Sequence, residues 1–391
     1  MKKILKISLI TIVSLALLVY GGVFSGHKVI FKEKTSDVPT IRAATNGVFT
    51  FGAQAHSTQP ATIRDFIPIL AEQIKRYNEI APSLWPDNAV VGQSAVVEGL
   101  GSGKFWLIVP DGTVTPISKK EVSSYGIVRN AYADGFSFFD GGMYLAVAEE
   151  HLTNYLKWQK YLHLGTHDAF LFFTHEGFHK LEQGSSKWGK MSRVPNRGRR
   201  EFLEDTPARA KRAMLQKQLL KAVSEPGDAG LILDALATYA DYKAKFPEDY
   251  GNSFYFDRVE GAAYYYELIT GLYSGYPDQV RNKDDLDRAL ALLATREDIY
   301  VWNGLVKEGY IIGGFSGVLL DRLEDNWKER LMNDPDATPL EMLYRHFKSE
   351  TLPAPKQLTQ AEIDAVGEKI QKSKETSIMP GFFRFWYDIL F

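Results

Sequence analysis

The chain has no cysteine among its 391 residues. That excludes disulfides, thiol nucleophiles and every cysteine-containing zinc site. A surplus of one charge is lacking too: 46 basic residues stand against 48 acidic ones, a net of −2, which leaves no electrostatic footprint for a nucleic-acid partner. Two common catalytic signatures are missing. To form a Walker loop, Gly99-Leu100-Gly101-Ser102-Gly103-Lys104 would need glycine at 98 and serine or threonine at 105, where Glu98 and Phe105 stand. The cluster reads as a hairpin turn instead. Gly314-Phe315-Ser316-Gly317-Val318 breaks the G-x-S-x-G pattern at its last position, which argues against a serine hydrolase.

Histidine is scarce, with 8 in the chain, yet two stand four apart in His175-Glu176-Gly177-Phe178-His179. The apolar run 169–173 before this H-E-x-x-H and Leu181 after it predict a helix. Residues four apart share one helix face, so both imidazoles point the same way. Two neutral imidazoles so placed suit tetrahedral zinc, with Glu176 as general base on water.

A catalytic zinc takes three protein ligands and keeps one position open. The offsets at which metzincins carry glycine and a third histidine hold Glu182 and Ser185, so that pattern fails. What remains is a carboxylate on a second helix. Asp257-Arg258-Val259-Glu260-Gly261-Ala262-Ala263-Tyr264-Tyr265-Tyr266-Glu267 offers one, with Glu260, Tyr264 and Glu267 on one face and Asp257 a turn earlier. Gly261 and Ala263 are small enough to let another helix approach closely. Glu201 and Glu204 are rival carboxylates that lie nearer His179 in sequence.

Glu260, Gly261, Ala263, Tyr265 and Glu267 spell E-G-x-A-x-Y-x-E. The segment resembles the second zinc helix of gluzincins of the aminopeptidase N and thermolysin-like type. The resemblance implies a zinc metallopeptidase in which Glu260 is the third ligand. It favours Glu260 over Glu201, whose neighbours Arg199, Arg200 and Phe202 do not match. The spacing departs from that family, since Glu260 lies 81 positions beyond His179. The chain also resembles bacterial extracytoplasmic H-E-x-x-H proteins in which a helical hairpin separates the two zinc helices.

The amino terminus implies a compartment. Lys2, Lys3 and Lys6 precede an uncharged apolar run over 7–24, as in a secretory signal. That run is close to the ~18 residues of a spanning helix, so residues 1–26 are either a signal peptide or a membrane anchor. Basic residues before the run place the body of the protein outside the cytoplasm, whether secreted, periplasmic or membrane-anchored.

The rest of the chain reads as α+β: a small sheet-containing mixed lobe over 27–147, then a mainly helical zincin-like lobe over 148–350. A tail over 351–391 follows, and six of its last ten residues are aromatic. Helical spacing over 63–80 is expected to become regular near Pro68 and to end at Pro82 and Pro86. Strands are expected over 89–97, 105–109 and 113–117, with 135–147 completing the sheet. Helices are expected over 148–162, from Thr166 through the motif, and over 207–223 and 229–246 as a hairpin. Others fit 256–273, 283–295, 300–323 with a weak point at Gly313-Gly314, and 339–346. A basic stretch over 184–200 reads as a solvated loop or a clamp for a peptide carboxylate.

Together these assign His175, His179 and Glu260 to zinc and Glu176 to acid–base catalysis on a peptide or protein substrate. Tyr310 is the first candidate to stabilise the oxyanion, ahead of Tyr264 and Tyr265. Glu267, Asp257 and Asp168 are candidate acceptors for the histidines' other N–H groups. The competing expectation is a non-catalytic extracytoplasmic binding protein that keeps the zinc helices as a scaffold. Glu176 tells against it, because a purely structural site gives no reason for a carboxylate that is not a ligand.

Overall fold

Thr62 starts the first helix of the computed structural model, α1 (Ile63–Leu84). Its hydroxyl accepts from the Asp65 amide while the Asp65 carboxylate accepts from the Thr62 amide. This capping box sets the start upstream of Pro68, where a regular helix was expected to begin. Pro68 lies within α1 on its exposed side, so the hydrogen bond it cannot make is left to water. Phe66, Ile67, Leu70, Ile74 and Tyr77 form the buried face.

The model describes residues 60, 62–127, 135–148, 168–185, 188, 205–295, 305–324 and 326–376. All fall within one compact unit, Ala43–Phe391. The expectations for residues 1–26, the helix over 148–162, the Thr166 cap, most of the basic stretch, Glu201, Glu204 and the aromatic end lie outside the described residues. Among those described, no helix is long and apolar enough to cross a membrane.

The fold is α+β. After α1 the chain makes a five-stranded sheet in the order β3-β2-β1-β5-β4. Its strands are β1 (Ser94–Leu100), β2 (Lys104–Ile108), β3 (Val114–Ile117), β4 (Gly135–Phe139) and β5 (Gly142–Ala148). The glycine cluster closes the β1–β2 hairpin, with Gly99 opposite Lys104 and left-handed backbone at Gly101 and Gly103. β1 pairs in parallel with β5, and the other pairings are antiparallel. β1 begins later than expected because the Asn88 side chain accepts from the Val90 amide and turns the chain there. One sheet face, with Ala95, Val97, Met143 and Leu145, joins α1 in the main core. The other packs Val96, Phe105, Tyr144 and Ala146 against Val122 of a short helix, α2 (Lys119–Ser124).

The motif helix, α3, is α-helical only over Asp168–Leu171 and then widens to π-type turns over Phe172–Glu176 and Phe178–Gln183. A helical hairpin follows, α4 (Thr206–Ser224) and α5 (Ala229–Lys245), turning at Pro226-Gly227 as expected. Next comes α6 (Pro247–Gly275), 29 residues long and buried on nearly every face. It starts well before 256 because Pro247 takes the first helical position, where its missing N–H costs nothing. The remaining helices are α7 (Lys283–Ala294), α8 (Leu305–Leu323), α9 (Trp327–Asn333), α10 (Pro339–His346) and α11 (Gln360–Thr376). α1 and α8 both pack along α6.

Gly313 and Gly314 do not weaken α8, contrary to the expectation. The helix runs through them, and Gly313 is where α8 touches α6 backbone to backbone. A Cβ on Gly313 would sit 2.2 Å from the Asp257 carbonyl oxygen, and one on Gly261 would sit 2.5 Å from the Gly313 Cα. These glycines set how near the two helices come, and so where residues beside them meet.

Candidate metal centre

α3 and α6 run antiparallel at the site, as their contacts require. His175 midway along α3 meets Glu267 late in α6, while His179 and Gln183 further on meet Glu260 and Val259 earlier in it. The far side of α3 fixes its rotation. Phe178 stacks on Tyr266 of α6 with centroids 4.7 Å apart, and it meets Trp85 edge-on at 4.8 Å. Gly177, between the histidines, presses on Val90, which a Cβ there would approach to 3.0 Å. Buried Glu182 accepts from the Ala89 amide at 2.9 Å and so ties α3 to the chain after α1.

With that rotation fixed, His175, His179 and Glu260 converge. The two Nε2 atoms lie 3.0 Å apart, and Glu260 Oε2 lies 3.2 Å from that of His179 and 3.6 Å from that of His175. Zinc–ligand bonds of about 2.0–2.2 Å at tetrahedral angles place ligand atoms roughly 3.3–3.5 Å apart, so the triangle has the right size. Its chemistry fits as well. His175 Nδ1 lies 2.7 Å from Glu267 Oε2 and His179 Nδ1 lies 2.6 Å from Gln183 Oε1. Both outer partners accept, so each imidazole carries its proton on Nδ1 and turns a lone pair inward from Nε2. With both rings neutral, two lone pairs and a carboxylate face one point with no donor among them. That arrangement can hold a cation.

The electrostatics agree. Burial works to lower the pKa of His175, but hydrogen bonds to Glu260 and Glu267 outweigh it and push the value up to about 10. Burial alone would raise the pKa of Glu260, yet the hydrogen bonds from His175 and His179 draw it down to about 2. Glu176 lies outside the ligand triangle. Its pKa is raised, chiefly by burial, against the opposing pull of the two histidines. A carboxylate that holds its proton more readily than usual is better matched to proton transfer near neutral pH.

α8 brings Tyr310 to the site. Its ring is edge-on to His175 at 5.6 Å, and its hydroxyl hydrogen-bonds to Glu260. Burial and then the charges of Glu260 and Glu267 raise its pKa, so the phenol stays protonated and able to donate. Tyr264 stacks on Tyr310 at 5.4 Å and backs it. Tyr265 turns away and donates to Asp321.

Among the candidate orienting groups, Glu267 reaches His175. Asp257 does not face the histidines: it pairs with both Nη atoms of Arg212, which also holds Glu308 through Nε at 2.7 Å. Sharing a helix face with Glu260 brought it near, but a buried guanidinium claims it. Asp168 opens α3, and its side chain lies outside the described residues. Gln183 was missed. Its place four residues after His179 is the one signal that could have singled it out. No family model matches the chain, and neither does any curated protein or solved structure.

Proposed function

We propose that the protein is an exported zinc-dependent peptidase. Glu176 is the observation that carries this reading: it sits beside an acceptor-only triangle of ligands without belonging to it. A structural site needs no such residue, whereas hydrolysis needs a base next to its water. His175, His179 and Glu260 would hold the ion, which supplies Lewis acidity and draws the pKa of water towards 7. Glu176 takes the proton of the attacking water as oxygen bonds to the scissile carbonyl carbon. It then passes that proton to the amide nitrogen, and the C–N bond breaks to release a carboxylate and an amine. Tyr310 can swing its hydroxyl from Glu260 to donate to the developing oxyanion. The apolar run near the amino terminus is what supports export.

The test is metal analysis together with a broad peptide-library cleavage assay on wild type and Glu176→Gln. The expected outcome is about one zinc per chain in both proteins, as for a site with two histidines and one glutamate. Hydrolysis should fall about 10²–10⁴-fold in the variant. Cleavage within a few-fold of wild type would remove Glu176 from the chemistry.

A further inference from the structure

We infer that Gln183 orients His179 for the metal, doing with a neutral amide what Glu267 does for His175 with a carboxylate. The inference rests on the metal-binding reading of the site, and it concerns a residue that the motif does not contain. Gln183 makes two contacts that determine each other. Its Oε1 lies 2.6 Å from His179 Nδ1, and its Nε2 donates to the Val259 carbonyl at 2.8 Å. Turning the amide over would set oxygen against oxygen at Val259, whose carbonyl can only accept. The observed orientation therefore makes Oε1 the acceptor, which holds the His179 proton on Nδ1 and leaves Nε2 for an ion.

The second contact sets where this happens. Val259 immediately precedes Glu260 on α6, so Gln183 references the ring of one ligand to the backbone that carries another. The amide also bears no charge. A glutamate in its place would add a second carboxylate behind the ligands and make the His179 ring a stronger electron donor. As built, one arm of the site is backed by a charge and the other by a dipole.

Acceptor and bridge can be separated by two variants of the full chain. Gln183→Met removes both contacts, while Gln183→Glu keeps an acceptor for His179 Nδ1 but cannot, when ionised, donate to Val259. Zinc affinity would be measured by chelator competition and the zinc-free Tm recorded for each, with no substrate involved. Orientation of His179 predicts a loss of about 10–100-fold for Gln183→Met and affinity at or above wild type for Gln183→Glu, the size expected of a residue behind a ligand. Two results overturn the assignment of Gln183 alone: wild-type affinity in Gln183→Met, or a Gln183→Glu as weak as Gln183→Met. The latter would make the bridge to Val259 the whole of its role. A wild type that takes up no zinc would overturn both this inference and the metal reading beneath it.

Discussion

The two helices that meet at the site are built on opposite plans. α6 keeps regular winding for 29 residues and is buried on nearly every face. α3 keeps it for four and then widens through two π-type segments. Packing around most of its circumference holds α6. α3 is held largely by groups on α6, namely Glu267 behind His175, Glu260 between the histidines, the Val259 carbonyl behind Gln183 and Tyr266 against Phe178, with Trp85, Val90 and Ala89 bracing its far side. α6 is thus the frame, and α3 takes its shape from it. Wide turns of this kind occur mostly as single-turn features at functional sites, where side chains are aimed at the expense of regular winding.

The largest expected effect comes from removing one ligand on each side of the comparison. Glu260→Ala takes a ligand from the frame and His179→Ala takes one from the guest helix. Both should lose zinc on mild chelation, with affinity falling by more than the roughly 10–100-fold typical of an orienting residue. Metal content after dialysis against a weak chelator measures it. If either variant keeps stoichiometric zinc, that residue is not a ligand; for Glu260, a rival carboxylate such as Glu201 or Glu204 would take its place.

Next in size is a change to the frame away from the site. Arg212 of α4 joins Asp257 of α6 to Glu308 of α8, and all three side chains are buried. Asp257 lies one turn before Glu260, and Glu308 lies two residues before Tyr310. The hairpin inserted between α3 and α6 thereby supplies a clamp on the helices that bring Glu260 and Tyr310 to the site. Arg212→Met strands the buried carboxylate of Asp257, while Glu308 keeps Arg209, and losing one partner of such a network costs about 3–5 kcal/mol. Urea unfolding should show this loss, with zinc affinity falling alongside. A loss under about 1 kcal/mol, the range of an exposed pair, would mean the frame does not depend on this clamp.

How much of this could be read from the amino acids differs between the same two helices. The spacing of His175 and His179 puts both on one helix face, and the small residues around Glu260 announce a close helix crossing. The convergence of these three residues follows from local pattern together with a resemblance. The sheet was legible because glycine turns punctuate it: Gly101, Gly103, Gly112 and Gly141 all take left-handed backbone at its hairpins. Partners brought together only by tertiary packing were not. Asp257 satisfied every local criterion for backing a histidine, and nothing near it in sequence told of Arg212. Gly313-Gly314 looked like a break because glycine lowers helix propensity, a cost that backbone contact with α6 overrides here. The widening of α3 left no mark in its own residues, which is what a shape imposed by a neighbour should do.

That last point yields the smallest effect and the sharpest test of the comparison. Thr174 is fully buried in the widened part of α3, and its hydroxyl donates to the carbonyls of Phe170 at 3.2 Å and Leu171 at 3.3 Å. These bonds lie within α3 and touch nothing on α6. If α3 set its own winding, they would help to aim His175, the next residue along. Thr174→Val replaces the hydroxyl with a methyl of similar shape, and losing its hydrogen bonds should cost about 0.5–1.5 kcal/mol of stability. Zinc affinity should stay within about twofold of wild type, because the residues that aim the histidines belong to α6 or bridge to it. A tenfold loss of affinity at that small cost in stability would show that α3 holds its histidines through its own hydrogen bonds, and α6 would no longer be the frame.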